Sequence, residues 1–120
     1  MDAMEQARGA RDVPRAEQIA RLNDTLRCKG FGGRIMITRG VRALPGFDVL
    51  ALLNALAAFD SFDVDNDPHG ERDFGDVEIA GVGCLWNIDY YDKAFQFASS
   101  DPANPAVTER VLTVMLLDEW

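Results

Sequence analysis

The chain has 120 residues, 48% of them hydrophobic, and a formal net charge of −8 at pH 7. That length and apolar content suit one self-sufficient globular domain and exclude wholesale disorder. No run of about 18 apolar residues exists to span a membrane, and the mixed-charge opening "MDAMEQARGARDV" lacks the apolar core of a secretory signal.

The charge is uneven. Residues 1–42 carry nine Arg/Lys and five acids, a net +4, whereas residues 43–120 carry fifteen acids against Arg72, Lys93 and Arg110, a net −12. So long an acidic stretch disfavours direct binding to a nucleic-acid backbone, which rewards clustered cations. It suits a protein partner with a basic surface. Cys28 and Cys84 stand far apart without a paired-cysteine motif, so both are expected as buried, reduced thiols of a cytoplasmic protein.

In chain order, residues 1–12 read as a flexible N-terminal tail, and 13–120 as a single domain. Pro14 suits a first helical turn, and Ile19, Leu22 and Leu26 form an apolar stripe in a helix stopped by Gly30. "GFGG" then leads into "RIMIT", a buried strand. A phosphate loop runs from strand to helix, the opposite order, so these glycines read as a tight turn. "LPG" introduces a second helix, "FDVLALLNALAAF", whose only polar residues are Asp48 and Asn54. So apolar a helix needs cover on most sides. It is expected at the centre of the fold, with a homodimer contact as the alternative.

Val77 and Ile79 alternate with Glu78 in a strand, and "AGVG" turns the chain. In the next strand Cys84, Trp86, Ile88 and Tyr90 share one face, with Leu85, Asn87, Asp89 and Tyr91 on the other. Asp92-Lys93 reads as a turn into a strand "AFQFA". Asn104-Pro105 reads as a cap and first-turn proline for a final helix, "AVTERVLTVMLL". The expected fold is α+β, in the order α-β-α-β-β-β-α, with a mainly antiparallel sheet packed against helices.

The chemistry concentrates in "DVDNDPHGERDFG", Asp63 to Gly75, which holds the chain's single histidine. A divalent-cation site there would draw on Asp65, Asp67, His69, Glu71 and Asp73, with Glu71 or Asp73 as base for a metal-activated water. As a calcium loop numbered from Asp65, the acids at positions 1 and 3 and the glycine at 6 fit. The proline at 4, His at 5, Asp76 at 12 and the strand that follows do not. The plainer reading is a type I turn, because Asp67-Pro68-His69-Gly70 places Asp, Pro and Gly where that turn favours them. Phe62 and Val64 would then point into the core.

No catalytic set assembles elsewhere. Ser61, Ser99 and Ser100 lack a nucleophile elbow, and Cys28 sits in a last helical turn that disfavours a thiolate. The acids of "DYYD" are explained equally well by a polar sheet face.

With "TRGV", "AFDSFDVDNDPHGERDFG", "WNIDYYD" and "DPANPAVTERVLTVMLLDEW", the chain resembles a small family of uncharacterised bacterial domains of unknown function, often borne on plasmids or other mobile elements. The resemblance runs from about Ile19 to Trp120, and Asn66 to Gly75 is its most specific part. In that family a second histidine commonly follows the glutamate of "HGE". Arg72 stands there in this chain, which weakens a two-histidine metal site.

Two functions are therefore expected. The first is a non-enzymatic interaction domain that needs no cofactor, whose Asp63, Asp65, Asp67, Glu71, Asp73, Asp76 and Glu78 occupy a basic protein surface. The mobile-element context implied by the resemblance makes it an inhibitor of host nucleic-acid-directed defence, such as an anti-CRISPR or anti-restriction protein. The alternative is a metal-dependent hydrolase or metal-binding domain centred on His69.

Overall fold

The computed structural model describes residues 13–120, so the expected tail over 1–12 lies outside the described residues. Seven α-helices and strands follow one another among the described residues: α1 (Arg15–Lys29), β1 (Arg34–Ile37), α2 (Arg39–Arg42), α3 (Val49–Ala58), β2 (Phe74–Ile79), β3 (Val82–Tyr91) and β4 (Glu109–Leu116), with short 3-10 helices at Pro105–Val107 and Leu117–Glu119. The strands form one sheet in the order β1-β4-β3-β2, antiparallel except for the parallel β1–β4 pair. The fold is α+β, as the sequence implied.

Local sequence explains most boundaries. Gly30 ends α1 in the left-handed region (φ 75°), donating its N–H to the Leu26 carbonyl at 2.9 Å. Asp48 caps α3 by accepting from the Leu50 N–H at 3.0 Å. Ala80 and Gly81, both with positive φ, make the two-residue turn that pairs Ile79 with Val82.

One face of the sheet is covered by helices. Leu26 of α1, Val41 of α2 and Leu52 and Leu56 of α3 pack against Ile79, Cys84, Trp86, Ile88, Leu112 and Val114. Phe59 and Phe62 set their edges against Trp86, with centroids 5.5 and 6.1 Å away. The C-terminal end of α3 is closed by a buried cation. Arg27 donates from Nη1 to the carbonyls of Leu56 and Phe59, both at 2.7 Å, satisfying helix-end acceptors.

None of the described α-helices lies on the opposite sheet face, where the Trp120 ring sets its edge against Phe74 with centroids 5.4 Å apart. Asp76 and Glu78 of β2 and Asp89 of β3 stand exposed there, in register with partly covered Leu85 and Val111.

Five expectations are corrected. "RIMIT" forms β1, an edge strand whose Arg34 and Met36 are exposed, and not a buried one. The final "helix" is strand β4 because Arg110, Leu112 and Val114 alternate inward. Its apolar run fits both periods. The central position between β1 and β3, together with the β-branched residues, decides for a strand. "AFQFA" is a loop that touches β3 through one bridge, Tyr91 to Ala98. Val64 is 82% exposed instead of buried, because the turn carries it away from the sheet. Cys28 is exposed on α1, whereas Cys84 is buried, and both thiols are free.

As for α3, Leu52 and Leu56 are fully buried while Val49 and Leu50 are exposed, so the helix is covered on one side only.

Candidate interaction site

The acidic loop is built from its own side chains. Asp63 accepts from the N–H groups of Asp65 and Asn66 at 2.9 and 3.0 Å. Asn66 answers by accepting from the Asp63 N–H at 2.9 Å and donating to the Ser61 carbonyl at 2.7 Å. Gly70, with φ 71°, donates to the Asp67 carbonyl at 3.1 Å, completing the turn expected over Asp67–Gly70. The Asp67 carboxylate then takes the Arg72 N–H at 2.9 Å. Short polar side chains that bond nearby amides hold such a loop without a core beneath it.

Arg72 is drawn away from this loop. Its guanidinium donates to both Asp24 oxygens and approaches Glu17 at 3.4 Å, so the cation is committed to acids of α1. The hydrogen bond it donates to Asp24 chiefly raises its pKa, and the one it donates to Glu17 in turn lowers that of Glu17. Asp63, Asp65, Asp76 and Glu78 have no ion-pair partner among the described residues.

Glu71 reaches inward. The Tyr90 hydroxyl donates to its Oε1 at 2.9 Å while accepting from Asn23 Nδ2 at 2.8 Å. Asn23 also donates to the Glu71 carbonyl at 3.0 Å and accepts from Arg110 Nε at 2.9 Å. Arg110 is 2% exposed, bonds the Pro102 carbonyl and lies over the Tyr90 ring, 5.2 Å from its centroid. Burial pushes the Tyr90 phenol strongly up and the Arg110 guanidinium down. This network ties α1, the acidic loop, β3 and β4 together, a structural task that sequence spacing did not announce.

Asp73 ends the loop and opens onto a cavity. Strand β2 pairs with β3 only as far as Asn87, so β3 outruns its neighbour from Ile88 to Tyr91. The loop after β3 folds back into that gap. The Asp92 N–H donates to the Phe97 carbonyl at 2.8 Å, and the Ser99 N–H to the Tyr90 carbonyl at 3.0 Å. The resulting cleft of about 470 Å³ is lined by Asp73, Asp89, Tyr90, Tyr91, Phe95 and Phe97, among others. Burial is the main cause raising the Asp73 pKa, and the negative charge of Glu71 adds to it.

The sequence-predicted residues thus divide by task. Asp63 and Asp67 build turns, Glu71 enters the buried network, and Asp73 lines the cleft. His69 is exposed at the turn. Among the described residues no three His, Cys, Asp or Glu side chains converge to hold a metal ion. No described helix is long and apolar enough to cross a membrane. Spacing along the chain did not reveal the cleft, because its walls join residue 73 to residues 88–98. The density of aromatics in "DYYDKAFQF" was the available signal.

No curated protein and no solved structure matches the chain. A family model described as "Protein of unknown function (DUF3768)" matches residues 37–119, spanning the acidic loop, the cleft and every strand but the first residues of β1, and the chain belongs to that family.

Proposed function

We propose that this chain is a non-enzymatic binding domain whose acidic surface docks on a basic patch of another protein. One observation carries this reading. Arg72, the cation within the acidic loop, is turned toward Glu17 and Asp24, and Asp63, Asp65, Asp76 and Glu78 form no ion pair with any described residue. Exposed carboxylates without a counter-charge favour a partner whose surface supplies the cations. The rigid turn supports the same reading, since a loop held by its own hydrogen bonds loses little entropy on binding.

The finer version is an inhibitor that covers the nucleic-acid-binding surface of a host defence protein. It follows from the mobile-element context the resemblance implies, together with the charge.

The test is fluorescence anisotropy with a labelled oligo-arginine peptide at about 0.05 M and about 0.5 M salt, where the screening length shrinks severalfold. Binding at low salt should be lost at high salt. It should also weaken when Asp63, Asp65, Asp76 and Glu78 are changed together to their amides. Binding that ignores both salt and these substitutions would reject the proposal. For the inhibitor version, the chain should compete with DNA for a DNA-binding defence protein, and the fourfold amide variant should not.

A further inference from the structure

The geometry points to the cleft between Asp73 and the 92–98 loop as the anchor subsite for a single arginine side chain of the protein partner. This rests on the reading of the chain as a binder of basic surfaces and says where such a partner is gripped.

Three features of the cleft carry the inference. Its lining residues include four aromatics, Tyr90, Tyr91, Phe95 and Phe97, and two acids, Asp73 and Asp89. Aromatic faces attract cations through their quadrupole, and carboxylates beside them add directed acceptors.

Two of these rings already hold a guanidinium of this chain, which shows the chemistry and leaves Tyr91 and Phe97 for an incoming cation. Arg34 lies 4.7 Å from the Phe95 centroid and Arg110 lies 5.2 Å from that of Tyr90.

The carboxylates are also available. Asp73 and Asp89 form no ion pair with any described residue, and the one side-chain bond to Asp89 comes from the neutral Asn87 amide at 3.2 Å. At about 470 Å³ the cleft is within the size range of small-ligand sites and admits one long side chain with its flanking backbone.

Arginine fits better than lysine on chemical grounds. A planar guanidinium stacks on rings while its edge donates to carboxylates, whereas an ammonium is compact and holds its water more tightly. The half-buried Asp73 gains most, because a guanidinium relieves the cost of keeping its charge away from water.

The test is an NMR titration of the amide-labelled chain with three short capped peptides of the same sequence, carrying arginine, lysine or the neutral isostere citrulline. The arginine peptide should shift residues 73 and 88–98 saturably, the lysine peptide more weakly, and the citrulline peptide not at all. Asp73→Asn and Asp89→Asn should each weaken the arginine peptide by about tenfold, the loss of roughly one charge-assisted contact. Near-UV circular dichroism reports folding of each variant, and Asp89→Asn carries the test should Asp73→Asn unfold.

Equal shifts with lysine or citrulline would overturn the arginine assignment. Shifts confined to residues 63–67 and 76–78 would overturn the cleft as the anchor while leaving the binding reading intact. Silence everywhere, even with an oligo-arginine peptide, would remove both.

Discussion

Gly75 occupies a place where the smallest side chain decides the packing. A Cβ there would stand 2.6 Å from Phe59 Cζ and 2.7 Å from Trp86 Nε1, both parts of rigid rings within the core. Gly75→Ala should therefore destabilise the domain by about 1–3 kcal/mol through overpacking. Gly83→Ala, with nothing within 4 Å of its added Cβ, should not. Urea unfolding of the two variants checks this, and equal midpoints would refute it.

Arg110 is the second residue with a large expected effect. Replacing it by Met leaves Asn23 Oδ1 and the Pro102 carbonyl without their donor in a buried site. Each buried acceptor left without its donor costs about 1–3 kcal/mol. Arg110→Met combined with Asn23→Leu should cost less than the two single changes added, since both orphaned groups of that pair are then gone. Strict additivity in urea unfolding would show that the network is not a unit.

At the scale of elements, the β2–β3 hairpin carries a local conflict. Ala80 sits at φ 51° in the first position of a turn that prefers Asn, Asp or Gly. Ala80→Gly should stabilise by a few tenths to about 1 kcal/mol, since it removes left-handed strain at some cost in chain entropy. A lowered thermal midpoint would refute this.

The same elements show where sequence reasoning succeeds. Gly30, the Asp67–Gly70 turn and the alternation of β3 were legible because each is set by a few adjacent residues. Strand β4 was not. Its one charged inward residue, Arg110, is buried by partners from α1 and the loop before it, which lie 87 and 8 residues away. Masked in that way, an alternating strand reads as an amphipathic helix. The acidic loop was legible as a turn and as a charge cluster. The cleft was not, because strand β3 outrunning β2 is a property of sheet register, which depends on pairing between distant segments.

Across the whole molecule, the excess of acid sets how stability responds to pH, and Asp73 acts against the other shifted carboxylates. Its pKa in the fold is raised, so the native state holds the proton more tightly than the unfolded chain. Stability therefore grows as pH falls through the folded pKa of Asp73, and the gain levels off below its ordinary value of 3.8. Glu17 and Glu119 act in the opposite sense. The Arg72 hydrogen bond lowers the first, and the Leu116 N–H and Thr38 hydroxyl lower the second. Their stabilisation is complete above the ordinary glutamate value of 4.5 and is lost as pH falls through their folded values.

The thermal midpoint should thus rise as pH falls from neutral through the folded pKa of Asp73, helped by relief of the net −8 charge, and fall again below 4.5 as Glu17 and Glu119 take up protons. Asp73→Asn should start from a higher midpoint at neutral pH and show a smaller rise. Identical pH profiles for the two proteins would mean that the Asp73 charge costs the fold nothing. A smaller rise, with weaker arginine-peptide binding in the same variant, would mean that this carboxylate is kept ionised against stability to hold a partner's cation.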